Sequence, residues 1–509
     1  MVAPVNRRSK AAPAVGRATA ARGAWLTPAA VAKATGGEIL ARGVAAGGVE
    51  RDSRRDCGPR GFVALRGERH DAHAFLADAV RQGAAGLVVD RPAADLPALD
   101  RVVAGRAPFV VRVADTGKAL LDLAAEHRRR MRAKVVGVTG SCGKTSTKEW
   151  LGAVLAAAMP TVRSPGSYNN HVGVPLTLFA IQPDTRAAVV EIGTNAPGEI
   201  AQLTSVARPD IGIVTCVAAA HLQGLGSIAG VAKEKSSLPA GLPDDGLCIL
   251  NGDDPNCRAM AAATKAEVQF FRVGGPAASG PADWFATDVR FHALGTTFLL
   301  QGKRPVTLAR TGTHSVYNAL AVIAAASRLG VAEEVILQAL ACVPPASRRL
   351  EPKLAGGVTV FDDTYNMNPQ SAAAALQALA GLAPGGRRIV VFGEMRELGD
   401  DGPALHRQVG MEVARTRQDL LVVIGDAAAP IADGALAGGL PAAAVHRVAD
   451  QDAALALLRA AVRPGDRVLC KASNGVRLDR LVDRFVAALA DDHDAGRGGS
   501  AALAEDLPG

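Results

Sequence analysis

The chain has 509 residues, of which 49% are hydrophobic and 21% are charged, and its formal net charge is +8. This length suggests about three domains, each large enough to bury its own hydrophobic core. The ordinary apolar content argues against a wholly disordered chain, and the 55 glycines have no three-residue period, which excludes a collagen-like one. Aromatic residues make up only 4%, which argues against a stacking platform for single strands, although the positive charge leaves a nucleic-acid partner open.

The two ends of the chain differ in composition from its body. Residues 1–24 carry five basic side chains and no acidic one, so they hold +5 of the net charge. They contain no unbroken apolar stretch of the kind a secretory signal needs, and we expect a disordered basic tail, with an organelle transit peptide as the alternative. Residues 491–509 predict a loose tail. The seven scattered cysteines form no C-x-x-C pair, so the pattern favours free thiols in a reducing cytoplasm.

Residues 25–115 predict a small α/β domain. Thr27 followed by Pro28 is typical of a helix start, with Thr as N-cap and Pro in the first turn. A second helix is expected between Ala74 and Gly83. The predicted strands are Phe62–Leu65, Gly86–Val89 and Phe109–Arg112.

Residues 116–343 predict a second α/β domain with a parallel sheet, opened by a connecting helix over Thr116–Arg132. The run Ile211–Ala232 contains no charged residue and is long enough to span a bilayer. However, it carries His221, Gln223 and four glycines, so we expect a buried strand followed by a loop and no membrane insertion. A helix is expected over Thr313–Leu329. The predicted strands are Lys134–Thr139, Ala187–Ile192, Ile211–Val217 and Leu247–Asn251.

Pro344-Pro345 marks a break, and residues 344–490 predict a third domain of the open, doubly wound, Rossmann-like type. Short apolar strands again alternate with helical stretches. The predicted strands are Val358–Asp362, Arg388–Phe392, Leu420–Ile424 and Arg467–Lys471, and the predicted helices are Gln370–Leu382, Ala404–Arg415 and Ala453–Ala461.

The most informative segment lies between an apolar strand and a helix in the second domain. Glycines there allow the backbone to wrap around phosphate oxygens, so that N–H groups at the helix start point at the anion. Lys144 can reach the β- and γ-phosphates, and the Thr145 hydroxyl can bind Mg²⁺. The strict P-loop pattern would have Gly where Val138 stands, and a glycine-rich turn with a chance lysine is the alternative. The predicted nucleotide-binding residues are Gly140, Ser141, Cys142, Gly143, Lys144, Thr145 and Ser146.

Two further polar residues follow strands of the same predicted sheet. Glu191 ends a buried strand at the edge where ligands of open α/β sheets gather, and its carboxylate suits Mg²⁺; a helix-cap partner is the alternative. His221 follows the next strand, and this position predicts a contact with a metal or a phosphate; the alternative is that His221 is simply a polar loop residue. Lys233 and Lys235 come next, and a cation would repel them unless they bind phosphate or are modified. Alone, they are typical of a solvated helix face.

Several of these segments together resemble the Mur ligase family, and within it the members that add D-alanyl-D-alanine to UDP-N-acetylmuramoyl-tripeptide. The resemblance covers about Trp25 to Ala490. In the second domain it rests on Thr139–Glu149, Ser167–Pro175, Glu191–Ile200 and Ala219–Lys233. In the outer domains it rests on Asp52–Arg54, Gly61–His73, Asp362–Pro369 and Val391–Gly399.

The resemblance implies an ATP-dependent ligase that makes an amide bond through an acyl phosphate during peptidoglycan synthesis. It implies catalytic roles for Lys144, His221 and Lys235. One Mg²⁺ would be held by Thr145 and Glu191, and a second by His221 and a carbamylated lysine, which is Lys235 with Lys233 as fallback. The adenine nucleotide would contact Asn318, Arg349 and Asp363. The other substrates, UDP-MurNAc-tripeptide and D-alanyl-D-alanine, would contact Ser53, Arg54, Asn170 and Lys471.

The chain departs from the family pattern at two points: His314-Ser315 replaces the common His-Asn, and Lys471-Ala-Ser-Asn474 lacks the usual final Arg, for which Arg477 could substitute. We expect a cytoplasmic monomer without a nucleic-acid partner. The alternatives are a sibling Mur ligase and a folylpolyglutamate synthase-like ligase, which would lack the first domain. A rival of another class is a nucleic-acid-stimulated P-loop ATPase.

Overall fold

The computed structural model describes residues 25–54, 56–67, 70–92, 108–274, 282–292, 295–344, 347–382 and 385–502. The predicted basic tail, residues 1–24, lies outside this range. The chain divides into two compact units, one ending at Arg130 and the other beginning at Met131. Within the described part of the chain, no helix combines the length and the apolar character that a bilayer crossing requires.

The first unit contains a five-stranded sheet. Its order is β1-β5-β4-β3-β2, parallel except for the pair of β1 and β5. The first helix begins as predicted, because the Thr27 hydroxyl accepts a hydrogen bond from the N–H of Ala30 and Pro28 occupies the first turn. The elements are α1 (Pro28–Thr35), β1 (Glu38–Ala41), β2 (Val49–Glu50), β3 (Gly61–Val63), α2 (Leu76–Arg81), β4 (Gly86–Val89), β5 (Phe109–Arg112) and α3 (Thr116–Arg130).

The second unit begins with a nine-stranded sheet in the order β14-β13-β12-β11-β10-β9-β6-β8-β7. Its strands are β6 (Lys134–Thr139), β7 (Thr161–Arg163), β8 (Ala187–Glu191), β9 (Ile211–Val214), β10 (Leu247–Asn251), β11 (Glu267–Val273), β12 (Trp284–His292), β13 (Gly295–Leu300) and β14 (Arg304–Leu308). The predicted parallel arrangement holds from β7 to β12, whereas β13 and β14 extend the sheet antiparallel.

Helices cover both faces of this sheet. They are α4 (Lys144–Ala156), α5 (Gly173–Phe179), α6 (Glu199–Ala207), α7 (Leu222–Leu225), α8 (Ile228–Lys235), α9 (Ser237–Ala240), α10 (Pro255–Ala259), α11 (Thr313–Arg328) and α12 (Glu333–Cys342). The main core packs α4 and α11 against the sheet, and the middle of α11 is buried all round. β6 lies inside the sheet between β9 and β8, and the loop that follows it leads into α4 and approaches α11.

The same unit contains a third sheet, in the order β15-β16-β20-β17-β18-β19, parallel except for β15. One hydrophobic core lies under α13 to α15 and another under α16 and α17, so the sheet is doubly wound as predicted. The elements are β15 (Glu351–Ala355), β16 (Val358–Asp363), α13 (Pro369–Ala380), β17 (Arg388–Phe392), α14 (Gly402–Arg415), β18 (Leu420–Ile424), α15 (Ala429–Ala437), β19 (Val445–Val448), α16 (Gln451–Ala461), β20 (Arg467–Lys471) and α17 (Asp479–Ala502).

The predicted loose tail from residue 491 is wrong for its first part, because α17 continues to Ala502. The N-terminal half of this helix is anchored by Leu481, Val482 and Phe485, which are fully buried. Once a helix is nucleated by such packing, each further residue adds a backbone hydrogen bond without a new nucleation cost. Residues 503–509 lie outside the described residues.

Candidate active site

The predicted phosphate loop connects β6 to α4. Gly140 and Gly143 have φ of 145° and 85°, which glycine adopts without strain. A Cβ atom on Gly143 would lie 2.6 Å from Oδ1 of Asn318, so the loop can approach α11 only with glycine at this position. Lys144 folds back over the loop and donates from Nζ to the carbonyl of Gly140 at 2.6 Å. The amine is thus held beside the concave side of the loop.

Residues just beyond β9 fix the loop in place. The N–H of Ser141 donates to the carbonyl of Cys216 at 2.8 Å, and the N–H of Ala218 donates to the Ser141 hydroxyl at 2.9 Å. The Thr215 hydroxyl donates to the carbonyl of Cys142. These contacts join the carboxyl ends of two neighbouring parallel strands, which is where ligands of such sheets bind.

Glu191 lies at the end of β8 and is 1% exposed. Its Oε1 accepts a hydrogen bond from Nδ2 of Asn169 at 2.9 Å, whereas Oε2 is buried and has no hydrogen-bond partner within the described structure. A buried carboxylate oxygen without a partner is costly, and a cation is the group that best compensates it. The structure therefore fits the predicted metal role better than the helix-cap alternative.

His221 lies in a left-handed conformation, with φ of 57°, at the start of α7. Its Nδ1 is 2.8 Å from Oε2 of Glu397. Glu397 belongs to the part of the unit that contains the third sheet. Hydrogen bonding to His221 lowers the pKa of the Glu397 carboxyl. A carboxylate on one ring nitrogen orients the imidazole and leaves Nε2 for a cation, as in many metal sites.

The structure distinguishes the two candidate lysines. Lys233 is exposed on α8, whereas Lys235 is 1% exposed and lines a small cavity of about 80 Å³ together with Lys144, Asn169 and His221. No described residue accepts a hydrogen bond from its Nζ. Burial, with a further contribution from the charge of Lys144, lowers the pKa of the Lys235 amine to about 7. Much of this amine is therefore uncharged at neutral pH.

Three predicted residues line the cleft on the side away from the loop. Arg349 donates to the Thr145 hydroxyl at 2.9 Å, with its guanidinium 3.8 Å from the ring centroid of Tyr365. Lys471 donates to Asp363 at 2.6 Å. Burial raises the pKa of Asp363, and the neighbouring charges of Lys471 and Arg349 oppose this effect. The result is a chain of alternating charges along one wall.

These groups surround a single cleft of about 790 Å³, a size typical of a site for a nucleotide or another small ligand. The phosphate loop forms its floor, and β16, α13 and β20 contribute the opposite wall. Of the predicted residues, the cleft brings together Ser141, Cys142, Gly143, Lys144, Thr145, Ser146, Glu191, His221, Asn318, Arg349, Asp363 and Lys471. Gly140, Lys235 and Asn170 adjoin it.

Several predicted residues have other neighbours. The side-chain oxygen of Asn170 accepts hydrogen bonds from the N–H groups of Val172 and Gly173, so it also caps the start of α5. In the first unit, Ser53 is buried and Arg54 is exposed and paired with Asp52 through two hydrogen bonds. Substrate contacts at Ser53, Arg54 and Asn170 stay predictions.

Sequence reasoning missed Asn169, Tyr365 and Glu397 as members of the site. Asn169 orients Glu191, Tyr365 stacks under Arg349, and Glu397 binds His221. Each stands inside a segment that carried the family resemblance. The signal was therefore present in the chain, but the partners are far apart in sequence.

The two departures from the family pattern lie in different surroundings. His314 lines the cleft, and burial together with the charges of Arg310 and Lys471 lowers its pKa to about 4, so the ring is neutral at pH 7. Asn474 is exposed and accepts a hydrogen bond from Arg348 at 2.9 Å. Arg477 is paired with Asp479 and does not line the cleft. The suggestion that Arg477 replaces the missing Arg has no support in this arrangement.

Two models of known protein families match this chain. Residues 138–326 match the model of the Mur ligase middle domain, and residues 348–474 match that of the Mur ligase glutamate ligase domain. The two matches contain the phosphate loop, Glu191, His221, Lys235, Arg349 and Asp363.

Full-length relatives are similar as well. The UDP-N-acetylmuramoyl-tripeptide–D-alanyl-D-alanine ligase of Mycobacterium tuberculosis (strain H37Rv) is 38% identical over 506 residues, covering 91% of this chain and 98% of the relative. The crystal structure of MurF from Acinetobacter baumannii matches with a TM-score of 0.80 at 30% identity, covering 91% of this chain and 99% of that one. A MurF ligase from Thermotoga maritima, solved in complex with ADP, shares the fold with a TM-score of 0.74 at 24% identity, covering 87% and 98% of the two chains.

The close approach of Gly143 to Asn318 leads to a test of the loop. We expect Gly143→Ala to weaken ATP binding at least tenfold, because the new methyl group pushes the loop away from α11. Gly425→Ala is the matched control: its φ of 82° is nearly the same, but nothing lies within 4 Å of the added Cβ. Backbone strain costs each variant about 1–2 kcal/mol of stability, and thermal melting should show a larger loss for Gly143→Ala, which also has the contact with Asn318. Equal ATP affinity of the two variants in calorimetry would contradict this account.

Proposed function

The chain belongs to the Mur ligase family, and we propose that it joins D-alanyl-D-alanine to UDP-N-acetylmuramoyl-tripeptide with hydrolysis of ATP. The product is UDP-MurNAc-pentapeptide, a precursor of peptidoglycan. One observation carries the proposal: a single cleft combines the phosphate loop with a partly unpaired carboxylate, Glu191, and with a basic wall containing Arg349 and Lys471. This arrangement suits a reaction between a nucleoside triphosphate and a carboxylate. Similarity to ligases of this name along nearly their whole length supports the choice of substrates.

ATP is required because a carboxylate is a poor electrophile and its direct condensation with an amine in water is unfavourable. The terminal carboxylate of the tripeptide attacks the γ-phosphate and forms an acyl phosphate, and ADP leaves. Lys144, already held at the concave side of the loop, stabilises the charge on the transferred group. Arg349, which reaches Thr145 across the cleft, adds a second positive charge at the same end of the nucleotide. The amine of D-alanyl-D-alanine then attacks the acyl carbon, and phosphate leaves.

The donor set also fits Mg²⁺. Glu191 offers a buried oxygen that is hydrogen-bonded to no described residue, Thr145 offers a hydroxyl, and His221 offers Nε2 with its other nitrogen on Glu397. Within the described chain no three His, Cys, Asp or Glu side chains come together as a ready-made cation site, so the fit rests on these separate donors. When bound, the ion would neutralise phosphate charge and orient the γ-phosphate. Asn169 and Glu397 would orient these donors, because Asn169 is hydrogen-bonded to Glu191 and Glu397 is bonded to Nδ1 of His221.

Lys235 is the residue we assign to carbamylation. A neutral amine attacks CO₂, and the pKa of about 7 makes that form available where an ordinary lysine would be charged. The product is an anionic carbamate that attracts a cation rather than repelling it. Its burial and the small cavity beside it favour it over the exposed Lys233.

The remaining substrate contacts follow from position. Asn318 and Asp363 are assigned to the nucleotide, and Lys471, held by Asp363, to the end of the cleft where the incoming amine reacts. Ser53 and Arg54 are assigned to the UDP end of the substrate. We also propose a cytoplasmic monomer that needs no nucleic acid; the seven cysteines, all free thiols, support a reducing compartment.

The most direct test measures phosphate release from ATP. We expect release only when UDP-MurNAc-tripeptide and D-alanyl-D-alanine are both present, and no stimulation by DNA. Lys144→Ala should lower turnover by about 10³-fold or more, because the positive charge at the γ-phosphate is lost, with an unchanged melting temperature. Lys233→Ala, an exposed lysine, serves as control. Near-normal turnover of Lys144→Ala, or release that depends on DNA, would refute the proposal.

A second experiment concerns the carbamate. The activity of Lys235→Ala should be about 100-fold lower than that of the unaltered protein. Added acetate or formate should restore part of it, because these anions can fill the position that the side chain leaves. Lys233→Ala should behave like the unaltered protein. ¹³C NMR after equilibration with labelled bicarbonate gives an independent readout: a carbamate signal is expected in Lys233→Ala and not in Lys235→Ala. A signal that persists in Lys235→Ala would exclude this lysine.

A further inference from the structure

Two cysteines that the proposed reaction does not use lie next to each other at the phosphate loop. Cys142 is part of the loop, and Cys216 follows the end of β9. The N–H of Cys142 donates to Sγ of Cys216 at 3.3 Å, and the thiol of Cys216 donates to the carbonyl of Cys142 at 3.6 Å. Both residues line the cleft of about 790 Å³, and Cys142 is half-buried. A small molecule that enters the cleft therefore meets a pair of thiols.

The surroundings of Cys142 favour its thiolate form. The amide of Asn368, the capping residue of α13, lies against its Sγ, with Nδ2 at 3.3 Å and Oδ1 at 3.4 Å. The positive groups that act on Cys142 are Lys144 on α4 and Lys471 on β20, whereas much of the buried Lys235 amine on α8 is uncharged at neutral pH. Hydrogen bonding from Cys216 is the largest effect, and together with Asn368 and these charges it lowers the pKa of the Cys142 thiol to about 6, against the opposing effect of burial.

The other buried thiols differ from Cys142. Burial raises the pKa of Cys57 to about 11 and that of Cys248 to about 12. The pKa of Cys216 is raised as well, by its hydrogen bond with Cys142 and by burial. A reactive thiolate beside a protonated thiol is the arrangement in which an attacking cysteine has a resolving partner.

We propose that Cys142 is a site of covalent modification within the nucleotide cleft, and that hydrogen peroxide converts Cys142 and Cys216 into a disulfide. In the first step the Cys142 sulfur attacks one peroxide oxygen, the O–O bond breaks, and hydroxide leaves and is protonated to water. In the second step the Cys216 sulfur attacks the resulting sulfenic acid, the S–O bond breaks, and the departing hydroxide takes the Cys216 proton. Two thiols and one peroxide give one disulfide and two waters.

The disulfide changes the phosphate loop directly. Cys142 lies in the loop between Gly143 and Ser141, whose N–H is bonded to the carbonyl of Cys216, and a disulfide to Cys216 draws the Cys142 side chain away from Asn368. We expect ATP binding to be lost and to return after reduction with dithiothreitol. This modification goes beyond the ligase reaction. The thiol chemistry is measured on the protein alone, so only the measurements of ATP binding rest on the proposed function.

The first arm of the test measures alkylation of the unaltered full-length protein by iodoacetamide, followed peptide by peptide with mass spectrometry. The labelling rate of Cys142 should rise only about twofold from pH 6 to pH 8, whereas that of an ordinary thiol rises roughly 80-fold. Cys342, exposed at the end of α12, is the internal control. ATP should slow the labelling of Cys142 and not of Cys342. A Cys142 rate that rises as steeply as that of Cys342, or no labelling of Cys142, would overturn the proposal.

The second arm uses peroxide and three variants. The unaltered protein and Cys342→Ser should form the Cys142–Cys216 disulfide and lose at least tenfold in ATP affinity. Cys216→Ser should instead accumulate a sulfenic acid on Cys142 that dimedone traps, and Cys142→Ser should leave Cys216 unmodified. Two outcomes would refute the proposed disulfide chemistry. In one, Cys142 and Cys216 of the unaltered protein both stay reduced while Cys342 is oxidised; in the other, Cys216 is oxidised in Cys142→Ser. Disulfide formation without ATP protection in the first arm would refute only the placement of ATP.

Discussion

The attachment of the phosphate loop to the strand end beside it is the constraint on which the rest of the site depends. The loop has no regular secondary structure of its own, and its shape is set by hydrogen bonds to residues 215–218 and by the close approach of Gly143 to Asn318. Because β6 and β9 are neighbouring parallel strands, their carboxyl ends are fixed relative to each other by the sheet. The loop is therefore preorganised for an anion before the anion binds.

The second half of this unit completes the site by contacting the loop and the functional residues around it. Arg349 contacts Thr145, Asn368 contacts Cys142, and Glu397 contacts His221. Each contact is made by a charged or polar side chain to a residue that we assign to phosphate or metal. Nucleotide binding and the arrangement of the two sheets are consequently coupled, because a ligand in the cleft touches both walls. A ligand that fills the cleft and contacts both walls would leave less room for water, which would otherwise hydrolyse an acyl phosphate.

How much the sequence predicts depends on where the stabilising contacts lie. The bounds of β6, β10, β17, β18 and β20 were predicted correctly, because strands buried on both faces are short, continuous apolar runs. The strands β12 to β14 were missed, since their burial alternates along the chain and they carry many polar side chains. The end of α17 was missed for a different reason: its helical state depends on packing earlier in the helix.

The same distinction holds for the site. The phosphate loop, Glu191 and His221 were identified because each follows a recognisable strand. The pairing of His221 with Glu397 joins residues 176 positions apart and depends on how two sheets pack, which no local pattern contains. The choice of Lys235 over Lys233 came from the family resemblance, and its burial now supplies a physical reason for it.

In the proposed reaction, this cleft activates the carboxylate of the tripeptide by transferring the γ-phosphate of ATP to it. The most direct measurement supplies UDP-MurNAc-tripeptide whose terminal carboxylate carries ¹⁸O, and follows the isotope by mass spectrometry during turnover with D-alanyl-D-alanine. An acyl phosphate requires that one carboxylate oxygen leaves with phosphate, so each phosphate released from fully labelled substrate should carry one ¹⁸O atom. Unlabelled phosphate, with amide product still formed, would contradict the account.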